Sequence, residues 1–180
     1  MNLEGFEFKR IKHDEELLPF DCNDKDLNEF FLQDSREYLK NLLAVTYVLV
    51  KDNETALFFS IFNDRISIED VDEESRKSIW NRINRKIPNR KRFPSYPCVK
   101  VGRLGTSMKY VGQGLGSNVL NYIKYWFIDM NKTGCRFITV DAYKTATVFY
   151  EKSGFKYLCS EESEKDSDTR LMYFDLKRLA

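Results

Sequence analysis

The stretch from Cys98 to Asp141 limits the fold more than any other part of the chain. "CVKVGRL", residues 98–104, is a β-branched apolar run and reads as a strand. "YVGQGLGSNVL" follows at 110–120, with Gly112, Gly114 and Gly116 at alternate positions. Over 117–131, Val119, Leu120, Ile123, Trp126, Phe127 and Met130 then recur at the spacing of one helical face. Gly134 suits the end of that helix, and "RFITVDA" reads as a second strand. Strand, helix and strand in this order form a βαβ unit with a right-handed crossover.

The glycines thus fall between a strand end and a helix start. There the free N–H groups of the first helical turn and the helix dipole face an approaching anion together. Glycine also lacks the Cβ that would keep such an anion away. No G-K-[ST] follows, so this is not a Walker loop, and the spacing is not that of the dinucleotide fingerprint. From these residues alone two readings stay open: a permissive turn, or a cradle for a pyrophosphate that needs no metal.

Around this unit the pattern alternates. Residues 5–11 read as an opening strand, and Asp24 is a fitting N-cap for a helix reaching about Lys40. "AVTYVLV" and "ALFFSIF", joined by the polar "KDNET", read as a hairpin. A basic helix starts near Asp72 and is expected to end at Pro88. "YKTATVFYEKSG" is a short helix closed by Gly154, before two last strands, "FKYLCS" and "TRLMYFDL". The expected architecture is α/β: a mixed sheet of about six to seven strands flanked by helices, in a single domain spanning 1–180.

Composition narrows the function classes. A net charge of +1 gives no global bias toward nucleic acid or membrane. The apolar runs are too short to span a bilayer, and "MNLEGFEFKR" has no apolar core of a signal peptide. Cys22, Cys98, Cys135 and Cys159 form no C-x-x-C pair, and His13 is the single histidine. No metal site is expected, and the scattered thiols suit a reduced, cytoplasmic setting.

Two motifs carry a family resemblance. "VGRLGTSMKYVGQGLGSNVL" resembles the central motif of the GNAT superfamily of acyl-CoA-dependent N-acetyltransferases, and "ITVDAYKTATVFYEKSGF" resembles its closing segment, through Ala146, Phe149, Tyr150, Gly154 and Phe155. The resemblance implies a GNAT-like fold with acetyl-CoA as co-substrate. It assigns the backbone of Leu104, Gly105 and Thr106 to the pantetheine arm. Gly112, Gln113, Gly114, Leu115, Gly116 and Ser117 are assigned to the pyrophosphate. Val111 stands where the family usually has Arg or Gln, so binding there would rest on backbone N–H groups. Tyr150 is implied as the general acid for the departing thiolate, with Tyr143 and Tyr157 as nearby alternatives. A general base is not legible; Asp141 and Glu151 are the carboxylates closest in sequence.

The N-terminal half, with Phe20, Cys22, Leu27 and Phe30 and the approach "KRFPSYPCVKVGRLG", is more loosely similar to the toxin branch of that superfamily. That branch acetylates the amino group of aminoacyl-tRNA and pairs with an antitoxin protein. Arg82, Arg85, Lys86, Arg90, Lys91 and Arg92 put six cations within eleven positions, a patch suited to an RNA backbone. The same residues could be a solvated helix face balanced by "DEES". An aminoacyl-tRNA, a protein or peptide amine and a small-molecule amine all stay open as acceptors. A non-catalytic acyl-CoA-binding module and a homodimer stay open as well.

Overall fold

The computed structural model describes residues 3–85, 87–88, 91–129 and 134–180. Hydrogen bonding orders seven strands as β1-β2-β3-β4-β5-β7-β6. They are β1 (Glu7–Arg10), β2 (Val45–Lys51), β3 (Glu54–Ser67), β4 (Ser95–Thr106), β5 (Phe137–Tyr143), β6 (Lys156–Tyr157) and β7 (Thr169–Asp175). The β1–β2, β2–β3, β5–β7 and β6–β7 ladders are antiparallel, whereas β4 and β5 pair in parallel at Cys98–Lys100 with Phe137–Thr139. This is the expected mixed sheet, and its parallel pair flanks the expected crossover helix. Two compact units divide the chain: residues 1–63 with 101–123, and residues 64–100 with 124–180.

In the first unit, the β2–β3 hairpin turns through Asp52 and Asn53, both with positive φ (52° and 60°). Asp and Asn tolerate that region through their short polar side chains. Asp24 caps α1 (Lys25–Glu29) by accepting a hydrogen bond from the Leu27 N–H. The expected helix to Lys40 is present but interrupted: a π-helical turn (Phe30–Asp34) separates α1 from α2 (Ser35–Lys40). Phe30 and Phe31, on that turn, are buried among Phe20, Val48, Phe58 and Ile11. Gly105 on β4 exists for this cluster, since a Cβ there would meet the Phe58 ring at 2.8 Å and Phe20 at 3.1 Å. α4 (Leu115–Asp129) begins in this unit, where Leu115, Val119, Leu120 and Ile123 are buried. The expected end of that helix, at Met130 and residue 131, lies outside the described residues.

In the second unit, Asp72 caps α3 (Glu73–Ile83). This helix stops at Ile83, short of the expected stop at Pro88. Asn84, a weak helix former, caps it by donating its N–H to the carbonyls of Trp80 and Arg82. Its side-chain oxygen accepts from the Tyr96 hydroxyl at 2.6 Å. β5 leads into α5 (Thr147–Lys152), which closes as sequence predicts. Gly154 has φ +84°, the Gly154 N–H reaches Glu151 O, and the Phe155 N–H reaches Tyr150 O. That pair of bonds is a Schellman motif. β6 is shorter than the strand expected over 155–160, because Cys159 and Ser160 turn away to bond Asp70 O and the Asp72 carboxylate. Among the described residues no helix is long and apolar enough to cross a membrane, and no group of three or more His, Cys, Asp or Glu could hold a metal ion.

Candidate functional site

The glycine loop belongs to the first unit. β4 ends at Thr106, a 3₁₀ turn (Met108–Tyr110) follows, and α4 starts at Leu115. Gly112 and Gly114 both adopt left-handed φ, +81° and +74°, which an L side chain takes only with strain. A Cβ at either position would meet nothing within 4 Å, so the backbone there faces open space. The Gln113 side chain ties the loop back by donating to Lys109 O at 3.2 Å. The first intrahelical bond runs from the Asn118 N–H to Gly114 O, leaving the N–H groups of Leu115, Gly116 and Ser117 without intrahelical acceptors. Val111 is exposed and adds no charge. Just before the loop, Tyr110 is 5% exposed and its hydroxyl has no hydrogen-bond partner among the described residues. An open, side-chain-free backbone at a helix N-terminus fits a diphosphate.

Tyr150 belongs to the second unit. It is 9% exposed on α5, edge-on to Phe149 (centroids 5.0 Å apart) and Phe155 (5.5 Å). Phe149 is only half-buried, and Tyr150 is the more enclosed of the two. Burial pushes the Tyr150 hydroxyl up to about 12, so it stays protonated throughout the working range. Among the described residues no group accepts its proton, which leaves the hydroxyl available to a ligand atom. Of the alternatives, Tyr143 is exposed, and the ring of Tyr157 lies under the Arg170 guanidinium at 4.4 Å.

The carboxylates play other parts. Asp141 pairs with Lys100 at 2.9 Å, and Lys100 also reaches Asp64 at 3.3 Å. Glu151 is exposed on α5. Lys124 was not singled out from sequence, although it lies one residue after Ile123 on the apolar stripe of α4. It is 3% exposed, and burial, aided by Arg178, brings its ammonium down to about 8. It donates to Ser153 O at 2.6 Å and lies over the Phe174 and Phe155 rings at 4.5 and 5.6 Å. The cation thereby complements the C-terminal carbonyls of the helix that carries Tyr150.

The structure divides the basic run. Arg82 and Arg85 line a cleft of about 280 Å³. Lys91 and Arg92 are exposed in the segment leading to β4, where Arg92 Nε donates to Ile87 O. Lys86 and Arg90 lie outside the described residues. The cleft also gathers Arg136, Lys156, Lys177 and Arg178, which sequence spacing had not connected to Arg82 and Arg85.

The seven-stranded mixed sheet with a glycine loop opening a helix is the GNAT-like fold expected from the sequence. Residues 89–172 match the family model of the acetyltransferase (GNAT) domain. The fold is similar over nearly its whole length to AtaT complexed with acetyl-methionyl-tRNAfMet, with TM-score 0.72, 17% identity, and coverage of 97% of this chain and 96% of that one. A tyrosine-to-phenylalanine variant of KacT matches with TM-score 0.71 and 18% identity, covering 98% of each chain. A tyrosine-to-phenylalanine variant of the AtaT toxin, bound to the C-terminus of the antitoxin AtaR and acetyl-CoA, matches with TM-score 0.66 and 17% identity over 98% of this chain and 96% of that one. No curated protein sequence matches significantly.

Proposed function

We propose that this chain acetylates the amino group of an aminoacyl-tRNA, acts as a toxin in the cytoplasm, and is held in check by an antitoxin protein. The observation that carries this reading is the end-to-end likeness to the AtaT–tRNA complex, which reaches well beyond residues 89–172. The same coverage supports treating residues 1–180 as one N-acetyltransferase domain. The cations at Arg82, Arg85, Lys91 and Arg92 suit an RNA backbone.

Acetyl-CoA supplies the acetyl thioester. The N–H groups from Gln113 to Ser117 hold its diphosphate, with Gly112 and Gly114 giving the backbone its approach. The backbone of Leu104, Gly105 and Thr106 pairs with the pantetheine arm in the manner of an added strand. The acceptor nitrogen forms the new N–C bond as the C–S bond breaks; the nitrogen loses a proton and the sulfur gains one. Tyr150 Oη is the donor to that sulfur, kept protonated by its burial. An amine partly neutral at working pH needs no dedicated base, in keeping with the Asp141–Lys100 pairing.

The test incubates the protein with labelled acetyl-CoA and total charged tRNA. Label in the aminoacyl group supports the reading. Label entering only peptide amines or free small amines would replace the acceptor, and thioester binding without transfer would leave a binding module.

A further inference from the structure

We infer that the cleft lined by Arg82, Arg85, Arg136, Lys156, Lys177 and Arg178 is a phosphoryl-group binding site, separate in its residues from the glycine loop. Six cations line it and one carboxylate, Asp175, faces them. That carboxylate is already taken: Arg136 grips it with two bonds, Nε to Oδ1 at 2.9 Å and Nη2 to Oδ2 at 2.7 Å. The whole chain carries a net charge of only +1, so its remainder is net acidic and this one cleft holds the excess.

The partners of these cations are informative. Elsewhere Lys9, Lys100, Lys109 and Arg170 sit against carboxylates. In the cleft, Arg82 Nε donates to the neutral Tyr173 hydroxyl at 2.7 Å, and Arg178 Nη1 donates to Gly154 O at 2.8 Å. These bonds fix two guanidinium forks without spending their charge. The side chains of Arg85, Lys156 and Lys177 have no partner among the described residues. Beyond the Arg136–Asp175 pair the remaining five like charges repel one another and lower stability, so the arrangement suits an anionic ligand that offsets them. Fixed arginine forks match the oxygens of a phosphoryl group bidentately, and the free lysines add mobile point charges. Two sources share this chemistry: the phosphodiester backbone of an RNA, and a free phosphate-bearing small molecule. With an RNA as the source the inference rests on the proposed aminoacyl-tRNA acceptor, to which Arg82 and Arg85 are also assigned; with a free phosphorylated ligand it stands apart from that reading.

The experiment titrates the full chain with inorganic pyrophosphate and, separately, with a short fluorescein-labelled single-stranded RNA, at several salt concentrations. The Lys156→Glu/Lys177→Glu double variant is compared with wild type, its fold checked by circular dichroism and thermal unfolding. Both residues are exposed and bonded through side chains to nothing described, so the fold is expected to persist. RNA affinity is expected to fall at least tenfold, and the slope of log K against log salt to shrink by about one to two. Loss confined to the RNA arm identifies a backbone source, and loss in the pyrophosphate arm a free phosphorylated ligand. Binding in neither arm, or binding that the double variant leaves unchanged, overturns the inference, as does retention of an acidic peptide alone. Acetylation of charged tRNA by a protein whose cleft binds nothing would leave the proposed function standing while this site fails.

Discussion

Tyr150→Phe isolates the hydroxyl, because the ring and its edge-on contacts to Phe149 and Phe155 remain. Burial places that hydroxyl at about 12. An ordinary thiol ionises near 8.5, so the phenol is a weaker acid than the thiol it is asked to protonate by roughly 10³, about 4–5 kcal/mol. Full proton transfer is therefore uphill until the thiolate is well formed, and much of the benefit comes from a hydrogen bond to developing charge. Such a bond contributes about 1.5–3 kcal/mol. The expected fall in kcat is thus about a hundredfold, the low end of the 10²–10⁴ typical of general acids. Acetyl-CoA affinity should change little. The assay follows thiol release at saturating acetyl-CoA from pH 6 to 10. An acid titrating near 12 imposes no fall in rate on the alkaline side of that range, so the two profiles should keep one shape at different heights. An unchanged kcat would sink the assignment. An alkaline fall in the wild type that the variant abolishes would refute the argument from burial.

Gly114→Leu should fold, at a cost of about 1–2 kcal/mol for the left-handed backbone, but should lose acetyl-CoA binding by calorimetric titration, whereas Val111→Ala should bind normally. Binding retained by Gly114→Leu would rule out the loop as a diphosphate cradle. Gly105→Ala drives a methyl into the Phe58 and Phe20 rings and should cost about 1–3 kcal/mol in denaturant unfolding; an unaltered midpoint would contradict the packing. Lys124 releases its proton near 8 when folded and near its ordinary value when unfolded. The unfolded chain therefore holds more protons between these limits, and stability rises with pH across them. Relative to Lys124→Met, the wild type should gain roughly 1–1.5 kcal/mol between pH 7 and 9. Parallel behaviour of the two proteins would show that the ammonium is not desolvated.

Elements with local causes were legible in the residues alone. The Asp24 cap, the hairpin turn at Asp52 and Asn53, and the Gly154 stop each depend on a few adjacent residues. The position of the glycine loop was legible for the same reason, since hydrophobic period switches from strand to helix on either side of it. The interruption of the first helix at Phe30–Asp34 was not, because a π-helical turn that places Phe30 and Phe31 in one aromatic cluster answers to distant partners such as Phe58. Helix periodicity showed an apolar stripe on α4 but not that Lys124 would be enclosed on it by Phe174 and Ser153, some 30 to 50 positions away. The basic run shows the difference most clearly. In sequence it is one block, Arg82 to Arg92. In the structure Arg82 and Arg85 face Arg136, Lys156, Lys177 and Arg178, while Lys91 and Arg92 lie in a separate exposed segment. Charge density along a chain follows from composition, but charge density in space follows from which strands and helix ends the fold brings together.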